Sequence, residues 1–263
     1  MKHVYCIPKL NQISDFVEFS KAYDAGFEYN DFFLPHILDD EKKIQELIEQ
    51  YTALDRDRSE DTLHGVFLDM CVNSNDPLIY KATDYRIHQS MEIASRLGVK
   101  AVIFHTNHIP NFRLQSYRDE WLADNTTYWK NLMAEYPKLK IYLENMFDEE
   151  PDMLMKLYDA LADEPQFGVC LDLAHAFISS TPMETWFQTL LPRASHLHIN
   201  DNDGVEDTHH PVGGRDLPWN LYKTAIEEIS PEKRPSVLIE VRNFDALMKS
   251  VDYMKSHHLY PFQ

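Results

Sequence analysis

The stretch "HLHINDNDGVEDTHH", residues 196–210, holds four histidines and four acidic residues, Asp201, Asp203, Glu206 and Asp207. Imidazole nitrogens and carboxylate oxygens are the ligand atoms of Zn²⁺, Mn²⁺, Co²⁺ and Mg²⁺. The stretch reads either as a solvated loop or as one wall of a metal site whose other walls lie elsewhere in the chain. Elsewhere, ionisable residues recur in one setting: Glu144 follows "IYL", Asp172 follows "GVCL", Glu240 follows "SVLI", His105 follows "AVIF" and His198 follows "SHL". Any one of them has a bland explanation as a satisfied polar residue. As a set they need a shared one, because carboxylates gathered in a partly buried place raise each other's pKa unless a cation intervenes.

The elements that must position them follow from hydrophobic period. Eight short apolar runs read as strands, at 3–7, 27–32, 62–68, 101–106, 141–146, 168–173, 195–200 and 236–241. Between them lie segments with apolar residues three and four apart, the helical spacing, at 13–25, 41–54, 80–98, 122–136, 153–161, 183–191, 221–229 and 244–258. Gly98 closes the third of these, since glycine accepts the left-handed backbone that ends a helix. Eight β/α units predict a (β/α)₈ TIM barrel in a single domain, residues 1–263. The alternative, a doubly wound open sheet, calls for a glycine-rich phosphate turn that is absent here, where only 7 glycines occur in the chain. In a barrel the C-terminal strand ends form one mouth, so the strand-end residues converge there.

Composition narrows the setting. With 43 Asp+Glu against 25 Lys+Arg the formal charge is −18, which repels polyanions and weighs against nucleic acid. Three scattered cysteines, Cys6, Cys71 and Cys170, suggest a reducing compartment rather than a disulfide framework. "MKHVYCIPKL" has no long apolar core of the kind a signal peptide carries, and no stretch reaches the roughly 20 apolar residues of a membrane span. The expectation is a soluble, cytoplasmic protein, compatible with assembly into a homo-oligomer.

The segments "VIFHTNH", "IYLEN", "GVCLDLAHAF", "HLHINDNDGVEDTHHPVG" and "VLIEVRN" resemble the xylose isomerase-like barrel superfamily, which includes sugar phosphate isomerases and epimerases and endonuclease IV. The resemblance runs from about residue 60 onward; before it only the β/α pattern and "GFEYNDFF" are similar. In the isomerase/epimerase branch it implies one divalent ion held by Glu144, Asp172, His198 and Glu240. Glu144 and Glu240 would then also move the proton, and His175 would meet a substrate hydroxyl. The substrate implied is a small carbohydrate. Endonuclease IV carries a fuller set around three zinc ions, and every position is filled here: His64, His105, His175, Asp207 and His209 join the first four. The expectation is therefore one ion, with room for up to three, and a phosphodiesterase acting at abasic DNA as the alternative activity. A barrel that keeps these residues without turnover is a third reading.

Departures favour the sugar branch. The Asp-Asn-Asp-Gly turn at 201–204 is common there, and the endonuclease's glycine-rich segment is replaced by "MFDEEPD", an acidic stretch expected to face where phosphates would lie. The family's Gly-Glu-Gly is "VGGRD" here, which makes Arg215 a candidate for a substrate phosphate or carboxylate, or equally a surface partner of Asp216. Trp219 is a candidate to stack on a sugar ring, or simply begins a helix. Glu28 and Asn30 are offered to the mouth or to the surface; His196 lies one pleat below His198, and His108 and His210 neighbour the proposed ligands.

Overall fold

The strand order follows directly from the apolar runs. In a computed structural model describing residues 2–263, eight parallel strands close in sequence order into a barrel, β1 pairing with β8. They are β1 Val4–Cys6, β2 Gly26–Tyr29, β3 Thr62–His64, β4 Ala101–His105, β5 Lys140–Glu144, β6 Phe167–Asp172, β7 Ala194–Ile199 and β8 Ser236–Ile239. Met1, which opens the stretch read as lacking a leader, lies outside the described residues. The surrounding helices are α1 Ile13–Tyr23, α2 Pro35–Leu38, α3 Glu41–Thr52, α4 Pro77–Leu97, α5 Gln115–Glu135, α6 Asp152–Ala160, α7 Leu173–Ile178, α8 Met183–Leu190, α9 Trp219–Glu227 and α10 Phe244–Ser256. Among the described residues no helix is long and apolar enough to cross a membrane.

Strand side chains alternate between two surroundings. Phe27, Leu63, Val102, Leu143, Leu171 and Ile239 point outward into the apolar layer beneath the helices. The other set fills the barrel, and this inner set is unusually polar: Glu28, Thr62, His196, His198 and Ser236 are all buried inside. Two glycines make the lower layer possible. A Cβ on Gly26 would stand 2.3 Å from the Tyr5 ring, and one on Gly168 would stand 2.7 Å from that of Tyr142.

Local signals explain the helix ends. Gly98 caps α4 with φ +72°, its N–H donating to the Ala94 carbonyl. The start of α4 lies three residues before the expected 80, because Asp76 caps the Leu78 N–H and Pro77 takes the first helical position. Strand β3 ends at His64 rather than 68, although the Gly65 N–H still donates to the Ile103 carbonyl at 2.8 Å.

Candidate metal centre

All nine sequence-predicted donors gather at the C-terminal mouth of the barrel. Atoms of seven of them form overlapping groups, each within 4.8 Å: His64, His105 and Glu144; Glu144, Asp172 and His175; Asp172, His198 and Glu240. Glu144 is common to the first two groups. Its Oε2 lies 3.2 Å from His198 Nδ1, 3.6 Å from His105 Nε2 and 3.7 Å from His64 Nε2. Glu240 Oε2 stands 3.4 Å from the same His198 Nδ1. On the loop side, Asp207 Oδ2 lies 3.4 Å from His175 Nε2 and 2.9 Å from His209 Nε2.

The chain orients these groups with its own backbone. Asp172 both ends β6 and caps α7: Oδ1 accepts the His175 N–H at 2.7 Å, which leaves Oδ2 without a hydrogen-bond partner among the described residues. Asn145, the residue after Glu144, clamps β6 from both sides, accepting the Asp172 N–H and donating to the Asp172 carbonyl. Glu144 Oε2, Asp172 Oδ2, His105 Nε2 and His198 Nδ1 are buried without a hydrogen-bond partner among the described residues. Buried polar atoms are normally paired. Four such atoms from neighbouring strands, turned to one another, fit the donor set of a divalent cation.

The electrostatics agree. Burial holds Asp172 above the ordinary carboxylate range, reinforced by Glu144, Glu240 and Asp207 and opposed by His175. Burial alone would do the same to Glu144, but His198 and His105 pull it well below that range. Burial would lower His175 and His198, yet Asp172, Asp207 and Glu144 lift His175, and Cys170 with Glu144, Glu28 and Glu240 lifts His198, both well above the ordinary imidazole value. The carboxylates are thus offset by protons on histidines, the charge that a cation displaces when it binds.

Above these groups lies a cavity of about 280 Å³, reached by Glu144, His175, Asp207, His209 and Glu240 and walled by Phe33 and Phe67. That is small for a ligand cavity and suits a compact polar molecule. Lys9 and Arg242 stand at its edge, and neither has a carboxylate within ion-pair distance among the described residues. A larger groove of about 550 Å³, bordered by Tyr80, Asp84, Asp124 and Glu135, lies away from the gathered donors.

Several expectations need correction. Arg215 is exposed and does not line the cavity; only its backbone N–H is used, by Asp201. It makes no ion pair with Asp216 either. Trp219 is buried, and its indole N–H donates to Asp201 Oδ2 at 2.8 Å, so the ring packs beneath the loop and is not free to stack on a sugar. Glu28 is not a surface residue but is wholly buried inside the barrel. The "MFDEEPD" stretch does not present its acids to the mouth. Asp148 turns inward to the Thr106 hydroxyl, Glu149 accepts from Ser180, and Glu150 pairs with Arg118; exposed Phe147 is what lies against the His175 ring. His108 sits behind the mouth against Tyr117 and Trp121, and His210 is tied by its backbone to Asp201. Asn145 and Cys170, whose Sγ lies with Glu144 and His198, were not singled out in the sequence. Asn145 had a signal there, an amide directly after a strand-end glutamate.

Comparison with known proteins follows the same lines. A family model described as a xylose isomerase-like TIM barrel matches residues 19–257. Fructoselysine 3-epimerase of Escherichia coli O157:H7 is 31% identical over 77 residues, 29% of this chain and 27% of that protein. Among solved structures, a D-tagatose 3-epimerase-like protein superposes with a TM-score of 0.72 at 23% identity, covering 98% of this chain and 97% of the other. Endonuclease IV from Thermus thermophilus superposes with a TM-score of 0.61 at 14% identity, covering 97% and 98%. At these identities the two structural likenesses speak to the fold.

Proposed function

Starting from the xylose isomerase-like TIM-barrel family, to which this chain belongs, we propose that the protein is a divalent-metal-dependent isomerase or epimerase of a small sugar or sugar phosphate. The observation that carries this reading is the convergence of Glu144, Asp172, His198 and Glu240 below a small open cavity, with Glu144 Oε2, Asp172 Oδ2 and His198 Nδ1 buried and without a hydrogen-bond partner among the described residues. These four residues would hold the ion. When bound, it would polarise the substrate's carbonyl and hydroxyl oxygens and stabilise negative charge on them.

The remaining chemistry belongs to side chains. Glu144 and Glu240 enter from β5 and β8, with β6 and β7 between them, so each reaches the cavity from its own side. One accepts the proton from the carbon beside the carbonyl, giving a cis-enediolate, and the other returns a proton to the same or the neighbouring carbon. His175 faces a substrate hydroxyl. Lys9 and Arg242 meet an anionic substituent where the substrate carries one, the part first offered to Arg215.

Incubation with candidate ketoses in heavy water, with Mn²⁺, Zn²⁺ or Co²⁺ supplied, tests the reading. Deuterium is expected on the carbon beside the carbonyl in the products that turn over. Turnover by a route that leaves that C–H bond intact, such as hydride transfer, would defeat the proton-transfer assignment.

One observation favours a second reading. The nine donors gather as a set, with His64 and His105 on one side of Glu144 and His175, Asp207 and His209 on the other, which supports a multinuclear zinc phosphodiesterase similar to endonuclease IV. The inward turn of Asp148 removes one objection to it. The charge of −18 still opposes approach to duplex DNA. Three zinc ions per chain together with incision of an abasic-site duplex would promote this reading over the first.

A further inference from the structure

Four of the five histidines at the mouth are held in one way. Nδ1 of His64, His105, His175 and His209 lies 3.1, 3.1, 2.9 and 3.2 Å from the backbone carbonyls of Gly65, Phe67, Asn145 and Glu240. A carbonyl only accepts, so Nδ1 carries the hydrogen and Nε2 is offered to the cavity. These carbonyls are free because they sit at or beyond strand ends.

His198 is reversed. Its Nδ1 faces Glu144 and Glu240, and its Nε2 points into the barrel, 3.1 Å from Glu28 Oε1. Strand carbonyls there are taken up by the neighbouring strands, so a side chain must serve. Glu28 has 0% exposure and no part in the proposed reaction. Its Oε2 accepts the Thr62 hydroxyl hydrogen at 2.7 Å and lies 3.4 Å from His196 Nε2. His196 is fixed in turn by Ser236 Oγ at 2.7 Å from Nδ1 and by the rings of Tyr5 and Tyr142. Glu28 Oε1, His196 Nε2 and His198 Nε2 complete no hydrogen bond among the described residues, but a buried carboxylate this close to two imidazole nitrogens is best accommodated with hydrogen on both Nε2 atoms.

We propose that Glu28 is a positioning residue: from beneath the mouth it fixes the ring and tautomer of His198, so that Nδ1 is the nitrogen offered to a cation. This rests on His198 being a ligand, as in the function proposed above. Carboxylates hydrogen-bonded to a ligating histidine orient the ring and raise its basicity, and their loss typically weakens metal binding roughly 10–100-fold.

The test is Glu28→Gln, which keeps the shape but can accept from one imidazole only while offering a hydrogen to the other. Zn²⁺ affinity, measured against a competing chelator, is expected to fall by roughly 10–100-fold. In ¹⁵N-histidine spectra of the Zn²⁺-loaded wild type, His198 should show a metal-bound Nδ1 and a slowly exchanging hydrogen on Nε2; in Glu28→Gln that hydrogen should exchange faster. Thr62→Val, which keeps the carboxylate but frees one of its oxygens, should move both readouts the same way by less, and it serves if Glu28→Gln does not fold. Metal on His198 Nε2 in the wild type, or a Glu28→Gln protein that binds Zn²⁺ as tightly with unchanged spectra, would overturn the proposal. Absence of Zn²⁺ binding by the wild type would sink the functional reading instead. The metal-free spectra would then decide for Glu28: hydrogen on Nε2 of both His196 and His198 upholds its hold on the rings, and any other pattern ends it.

Discussion

Asp61 and Asp172 are the same residue type, both wholly buried, and both sit at the end of a barrel strand. Asp61 immediately precedes β3, at the base; Asp172 ends β6, at the mouth. Their surroundings differ completely. Asp61 accepts the Phe27 N–H and the Tyr29 hydroxyl hydrogen, each at 2.8 Å, and receives both terminal nitrogens of Arg56, whose guanidinium also lies 3.8 Å over the Phe27 ring. Asp172 has one oxygen tied to the α7 cap and the other without a hydrogen bond among the described residues. The base uses its buried charge to hold the fold. The mouth leaves donors unpaired, which is an arrangement that costs stability unless a ligand offsets it.

The comparison breaks or holds on a pair of substitutions. Glu240→Gln should cost turnover on the order of 10²–10⁴-fold, the usual share of a positioned acid or base, while the metal-free protein melts no lower than the wild type. Steady-state kinetics and a thermal melt read the two halves. Asp61→Ala should do the reverse. Leaving Arg56 buried and unpaired costs about 3–5 kcal/mol, a fall of roughly 6–20 °C in Tm for a chain of this size, with Zn²⁺ affinity of the folded protein unchanged. An Asp61→Ala protein that melts normally but has lost Zn²⁺ affinity would show that base and mouth are not separate in function.

The same contrast explains what the sequence could and could not say. Glu144, Asp172, His198 and Glu240 were legible because each follows an apolar run, and in a closed parallel barrel all such ends face one mouth. Glu28 was not. In "FEYNDF" the polar residues alternate with apolar ones, and that pattern cannot tell a polar barrel interior from solvent; only the closed topology sets Glu28 under His198. Trp219 begins α9, the plainer of its two readings; its stacking role and the substrate role of Arg215 fall away for a related reason. Their positions follow from Asp201, whose carboxylate collects the N–H groups of Arg215, Leu217 and the Trp219 indole, a loop closure with no periodic trace. Helix α7, of 6 residues, is too short for a period to register, though its Asp172 cap was in plain view.

Asp148 joins the two regions and gives the smallest of the three effects. Its Oδ2 is satisfied like the base, accepting the Thr106 hydroxyl hydrogen at 2.6 Å and the Met146 N–H at 3.1 Å, whereas its Oδ1 is unpartnered like the mouth, with His108 Nδ1 3.7 Å away. Burial pushes its carboxyl up from the ordinary 3.8 to about 6, against the pull of those hydrogen bonds and of His175. The sign follows. A folded-state pKa above the unfolded one means that the native state binds the proton more tightly, so this group's contribution is full below pH 3.8 and is lost as pH rises through about 6. At one pKa unit per 1.36 kcal/mol the whole span is about 3 kcal/mol at most. Asn at this position is neutral at every pH and still offers an oxygen to Thr106 and Met146. Metal-free Asp148→Asn should therefore gain stability over the wild type as pH climbs from 4 to 7, and the gain should level off above 7. Denaturant unfolding at stepped pH measures it. A difference between the two proteins that stays flat across that window would mean Asp148 is ionised throughout, its Oδ1 already satisfied, and that it belongs wholly with the base.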